Sequence, residues 1–124
     1  MAINEQAAGP QGAGPMKGLK VLDLTRGLPG ALTTMLLADY GAEVVKVEHP
    51  SGNPLERDIA YRVWNRGKKS VAIDLKQPEG LTAVMSQVQQ ADVVLESFRP
   101  GAAESLGVGY SQLSGINPQV VHCS

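Results

Sequence analysis

The sequence has one cysteine, Cys123, in 124 residues. That excludes an internal disulfide and a metal site built from several thiolates, and it fits a reducing, cytoplasmic setting. Net charge is also scarce. Eleven Lys and Arg against 12 Asp and Glu leave −1 at pH 7 with His neutral. A chain so balanced has no overall attraction for nucleic acid or for a membrane surface. No apolar run approaches the roughly 20 residues of a spanning helix. The first residues carry neither the charged start nor the apolar segment of a signal peptide. Neither H-E-x-x-H nor an EF-hand loop is present, so no metal is expected.

The remaining composition is that of a soluble domain: 43% hydrophobic and 19% charged. The length suits one domain, able to bury roughly two thirds of its unfolded surface. The stretch to Pro15 is rich in Ala, Gly, Gln and Pro. We expect residues 1–17 to form a flexible leader and residues 18–124 to form the folded domain.

The organising stretch runs from Gly18 to Glu48. Val21, Leu22 and Leu24 make a short apolar run, as in a strand buried on both faces. Thr25-Arg26-Gly27-Leu28-Pro29-Gly30 breaks regular structure and lets backbone approach backbone closely. Leu32, Met35, Leu36 and Tyr40 then recur at helical spacing, and Gly41 suits a helix stop. Val44, Val45 and Val47 give a second buried strand. This is a βαβ unit, right-handed by default, and ligands of such sheets sit at the carboxyl ends of the strands.

Leu55 to Trp64 is ambiguous between a short helix and an irregular cover. Asn65 to Lys69 is a basic turn that leads into a strand over Ser70–Leu75. Pro78 to Gln90 carries an apolar stripe (Leu81, Val84, Met85, Val88) behind a first-turn proline, which predicts a helix. Val93–Leu95 is a further strand, Ala102–Leu106 and Ser111–Gly115 are helical turns, and Gln119–Cys123 is a last strand. The fold class is α/β: a Rossmann-like, mostly parallel sheet flanked by helices. A last strand without its covering helix leads us to expect an N-terminal portion of a larger fold, with a small complete domain as the alternative.

Three constellations bear on chemistry. Arg57, Arg62, Arg66, Lys68, Lys69 and Lys76 face only Asp58 and Asp74 in the same window. They form either a phosphate-binding patch or a solvated face. The Thr25–Gly30 turn is not G-x-G-x-x-G, although Glu48 lies where a dinucleotide's ribose would be held, so a dinucleotide oxidoreductase stays open. Ser97-Phe98-Arg99-Pro100-Gly101 places an aromatic and a cation at a strand's carboxyl end, either to hold a flat or phosphorylated group or as a tight turn with a buried Phe. His122 and Cys123 are adjacent in a strand and point to opposite faces, a poor nucleophile–base pair. No aspartate has an evident acid–base partner.

Four segments resemble the N-terminal part of the family III CoA-transferases, the CaiB/BaiF family that includes formyl-CoA transferase, carnitine CoA-transferase and α-methylacyl-CoA racemase. They are Gly18–Thr25, Met35–Glu48, Asn65–Gly80 and Ala91–Gly101, and Leu106–Tyr110 with Asn117–Val121 continues the match. The resemblance implies a coenzyme-A-binding Rossmann-like domain from a chain roughly three times longer, paired as an interlocked homodimer. It implies coenzyme A contacts at Gly27, Leu28, His49, Ile73, Lys76, Ser97 and Phe98. It implies an acyl-CoA and a carboxylic acid as substrates, and an aspartate nucleophile beyond residue 124, so that none here is catalytic. A racemase of the same family and a non-catalytic nucleotide-binding module are the alternatives. The family usually has Asn at Ser97 and often Arg at Ser105, and formyl-CoA transferase has Arg at His49. These departures predict altered or weaker coenzyme A binding.

Overall fold

Valine sets the sheet. The runs Val21-Leu22, Val44-Val45 and Val93-Val94 combine β-branched stiffness with burial on both faces, and each is a strand. The computed structural model describes residues 3–5 and 13–124. Its elements in order are β1 (Ile3–Glu5), β2 (Lys20–Asp23), α1 (Leu28–Asp39), β3 (Glu43–Glu48), a 3-10 turn (Pro54–Arg57), α2 (Ile59–Trp64), β4 (Lys68–Ala72), α3 (Pro78–Val88), β5 (Val93–Leu95), α4 (Ala102–Ser105), α5 (Tyr110–Ile116) and β6 (Val121–Cys123).

The sheet order is β1-β4-β3-β2-β5-β6. The last five of these strands are mutually parallel, as the sequence predicts. The parallel part starts in the middle at β2, winds outward through β3 and β4, then returns to add β5 and β6 on the other side. The order therefore reverses between β2 and β5. In open α/β sheets the crevice at that reversal, outside the carboxyl ends, is where ligands bind.

At residues 3–5 the structure differs from the expected leader. Ile3, Asn4 and Glu5 pair antiparallel with Val71, Ser70 and Lys69. The physical reason is the outer edge of β4, whose unpaired N–H and C=O groups accept another strand. The rest of the expected leader up to residue 12 lies outside the described residues.

Two further expectations are corrected. The strand expected over Ser70–Leu75 begins and ends earlier, at Lys68–Ala72. Pairing with β3 decides this, since Lys68 sits opposite Val44 and Ala72 opposite Glu48. The stripe expected on α1 is only partly buried: Met35 is inside and Leu32 is partly covered. Leu36 and Tyr40 are half exposed, at 50% and 54%, whereas Ala31, Thr34 and Met35 are buried. Small residues let the helix lie close to the strands. A Cβ added at Gly30 would stand 2.2 Å from Thr25 Cβ, so only glycine fits there. The stretch left ambiguous in the sequence becomes the 3-10 turn and α2, capped by Asn53 and Asp58.

The sheet buries two faces. On one, Leu22, Leu24, Val71, Ile73 and Val94 pack with Val84 and Val88 of α3, Ala103 of α4 and Leu113 of α5. On the other, Val21, Val44 and Leu95 pack with Ala42 beneath Leu37 and Ala38.

Candidate functional site

Because the strands run parallel, the segments after β2, β3, β4 and β5 open on one rim. The seven residues expected at the site all lie there. Gly27 caps α1 with φ +82°, and Leu28 is the helix's first residue. No atom lies within 4 Å of where a Gly27 Cβ would sit. The turn thus presents bare backbone to open space, as a ligand approaching the main chain requires. Ser97 and Phe98 follow β5, directly across the order reversal. Ser97 Oγ lies 2.7 Å from Arg26 N and 2.9 Å from Arg26 O, which joins the two loops. The Arg26 guanidinium carbon stands 5.8 Å from the Phe98 ring centroid.

His49, Ile73 and Lys76 form a second group further along the rim. His49 Nε2 is 3.7 Å from Asp74 Oδ2, and its Nδ1 is 2.6 Å from Ser51 Oγ. The Ile73 N–H donates to Glu48 O at 2.8 Å, which extends the β3–β4 pairing past the strand end. The Ile73 side chain is buried in the core, so it supports the rim and offers a ligand mainly its backbone. Asp74 Oδ1 accepts the Lys76 N–H at 2.9 Å and shapes the turn that exposes the Lys76 side chain.

The basic window divides. Lys68 is buried and Arg66 pairs with Asp39 at 2.5 Å, while Arg57, Arg62 and Lys76 remain exposed. It is therefore not one phosphate-binding patch. Glu48 accepts hydrogen bonds from Tyr61 Oη and, at 2.5 Å, from Ser70 Oγ. Burial first, then the Glu48 carboxylate, pushes the Tyr61 hydroxyl above its usual range. A Glu48 so engaged is not presented to a ribose as a dinucleotide enzyme would need.

Sequence reasoning missed the groups beneath the rim. Asp23 is fully buried in β2 and accepts from Thr25 Oγ1 and Thr34 Oγ1, both at 2.6 Å. Lys46 Nζ and Lys68 Nζ lie 3.5 and 3.3 Å from its Oδ2. Burial alone would raise the Asp23 pKa, but Lys46, Lys68 and the two threonine hydroxyls outweigh it and hold the carboxyl below its ordinary value. Burial lowers Lys68 to about 8 against this partner. Lys46 Nζ also donates to Thr25 O at 3.0 Å, and Lys68 Nζ to Ala31 O at 3.0 Å. The network thus pins both the turn and the first turn of α1 to the sheet. A sequence signal exists: Asp23 ends one apolar strand and Lys46 interrupts the valines of the next, and the two residues pair in register.

All five aspartates have structural roles. Asp23 holds the lysines, Asp39 pairs with Arg66, and Asp58 caps α2 at Ala60 N (2.9 Å). Asp74 shapes its turn, and Asp92 Oδ2 accepts the Lys20 N–H at 2.8 Å. His122 is separated from Cys123 by strand alternation, as expected. Its Nε2 is buried without a hydrogen bond, 3.8 Å from Glu96 Oε1. A shallow hollow at the opposite rim, bordered by Lys20, Glu43, Gln87 and Gln90, holds none of the expected residues.

Comparison with known proteins decides the lineage. The pattern of CoA-transferase family III matches residues 16–124. The chain belongs to CoA-transferase family III. Among curated members, human succinyl-CoA:glutarate CoA-transferase is 38% identical over 120 residues, covering 89% of this chain and 27% of that protein. Succinyl-CoA–D-citramalate CoA-transferase of Chloroflexus aurantiacus is 41% identical over 117 residues, covering 86% and 29%. A crystal structure of a CaiB/BaiF family protein from Brucella suis superposes with a TM-score of 0.82 at 39% identity, covering 90% of this chain and 33% of that one. The chain spans less than a third of these family III relatives.

Proposed function

We propose that this chain forms the coenzyme-A-binding part of an enzyme that moves coenzyme A from an acyl-CoA to a carboxylic acid. The observation that carries the reading is what gathers on the carboxyl rim at the order reversal. There an open glycine turn, an aromatic ring and exposed cations meet on one rim, in a family whose members carry CoA-transferase names. In this reading Gly27 and Leu28 receive the ligand along the backbone, and Phe98 lines the rim beside its nucleotide end. Lys76 and His49 face its phosphates, Ile73 holds the β4 turn in place, and Ser97 fixes the loop that carries Phe98.

Coenzyme A supplies the thiol that carries the acyl group. This chain's residues bind and orient its nucleotide end. By the family resemblance, the transfer itself runs through an aspartyl intermediate on an aspartate outside these 124 residues. The working protein is a cytoplasmic homodimer whose two chains interlock.

Titration calorimetry of the protein with free coenzyme A tests the reading. Saturable, one-to-one binding in the micromolar to submillimolar range is the expected result. Absence of heat at millimolar coenzyme A, from protein whose circular dichroism shows it folded, overturns it.

A further inference from the structure

By resemblance Ser97 is a ligand contact, and a weaker one than the asparagine usual there. The geometry gives its hydroxyl another task. Ser97 Oγ accepts the Arg26 N–H at 2.7 Å and donates to the Arg26 carbonyl at 2.9 Å. A hydroxyl has a single proton to donate. With that proton on Arg26 O, Ser97 has none left for an anionic ligand. Both peptide groups flanking one α-carbon are held by one side chain, from a residue 71 positions away in sequence. The clasp lies across the reversal between β2 and β5, where each loop would otherwise move separately.

What the clasp positions is Arg26. Its guanidinium carbon lies 5.8 Å from the Phe98 ring centroid, within the range of a cation–π contact. A guanidinium over a ring engages through its face, and its N–H edge remains able to donate to oxygens. Arg26 is exposed, and no salt bridge among the described residues includes it. The nearby carboxylate, Glu96, is directed elsewhere. One oxygen accepts the Phe98 N–H at 2.6 Å and the other faces His122 Nε2 at 3.8 Å. Arg26 thus stands at the ligand crevice as an oriented cation without a protein counter-ion.

We propose that Arg26 is a phosphate-binding side chain of this site, held over Phe98 by Ser97 acting as a positioning residue. The proposal rests on the coenzyme A reading and deepens it: the crevice at the order reversal receives an anionic phosphate of the ligand's nucleotide end. The serine that looks like a lost contact is the device that aims a gained one.

The test is calorimetric titration of the protein with coenzyme A, for wild type, Arg26→Gln, Ser97→Ala and Ser97→Thr, at low and high sodium chloride (about 0.05 M and 0.5 M, a threefold change in screening length). Arg26→Gln is expected to weaken binding about tenfold at low salt, the worth of one charge-assisted hydrogen bond. The gap to wild type should shrink at high salt, which a purely structural defect would not do. Ser97→Ala should show the same salt-sensitive loss at smaller size, and Ser97→Thr, which keeps the hydroxyl, should restore wild-type affinity. Wild-type affinity in Arg26→Gln overturns the proposal, and so does a loss that salt leaves unchanged. Those results leave the coenzyme A reading standing. Failure of wild type itself to bind removes that reading and the proposal together.

Discussion

On the α3 side of the sheet, Val84, Val88, Val94, Val108 and Leu113 are sealed from solvent, and every buried contact among them is apolar. At equal depth on the α1 side lie Asp23, Thr34, Asn65 and Lys68. The first face is a dry core. Its contacts are non-directional and pack α3, α4 and α5 by area, with Asn117 at the end of α5 adding hydrogen bonds to Val88 O and Ala91 O. The second is a hydrogen-bonded network in which two lysines share one carboxylate and each also grips a backbone carbonyl at or beside the ligand turn. Charges taken out of water gain little net stability, because desolvation consumes most of the Coulombic attraction. They do fix direction. The α1 side thus combines its apolar cluster with a polar network that fixes the turn after β2, whereas the buried side chains clustered on the α3 side are apolar.

The comparison is broken most severely at Asp23. Asp23→Ala leaves two buried lysines without their carboxylate, and we expect a loss of about 3–5 kcal/mol. Urea unfolding measures it, and a loss below about 1 kcal/mol would show that the network does not bear on stability. Next in size is Leu113→Ala on the dry face. Removing a fully buried leucine side chain should cost about 2–4 kcal/mol by lost transfer energy and cavity. Coenzyme A affinity should stay unchanged in the fraction still folded, because Leu113 is on α5 and is none of the residues placed at the carboxyl rim. Equal loss of affinity in this variant would dissolve the distinction between the faces.

The smallest effect is the pH dependence of the polar face. Lys68 titrates at about 8 in the fold against 10.5 unperturbed. Between those values the unfolded chain binds more protons than the folded one, so Lys68 makes stability rise with pH. The penalty is complete below about 8 and fades toward the ordinary lysine range. Tyr61, raised by burial and Glu48, acts with the opposite sign above its unperturbed value of 10.0. Unfolding midpoints between pH 7.5 and 9.5 therefore isolate the lysine (roughly two decades of proton activity). Lys68→Met should flatten the rise, and a slope unchanged in that variant would assign it to another group.

Much of the fold was legible because buried parallel strands announce themselves. Val21-Leu22, Val44-Val45 and Val93-Val94 need no partner to be read as strands, and Pro78 marks the start of α3 without ambiguity. The rim residues were legible by resemblance, and a parallel sheet guarantees that loops after its strands share one side. The α1 stripe misled because Leu36 and Tyr40 fit the period as well as Ala31 and Thr34 do. Which side is buried depends on what the helix meets, and here its closest approach, at Gly30, Ala31 and Thr34, needs small side chains while Met35 fills the space beside them. Lys68 misled for a related reason. In sequence it belongs to a basic run, and only pairing with β3 turns it inward toward Asp23.

Sequence alone determined the parallel α/β layout and the loops that meet at the carboxyl rim, because hydrophobic period and turn chemistry are local properties, and its resemblance over four segments gave the family. Tertiary structure alone decided what those loops' side chains do: that Ser97 holds Arg26, that Arg26 lies over Phe98, and that Asp23 answers two lysines. Those contacts join residues 23 to 72 positions apart in the chain. A hydroxyl or a carboxylate takes its partner from distance and direction, which no pattern along the chain encodes.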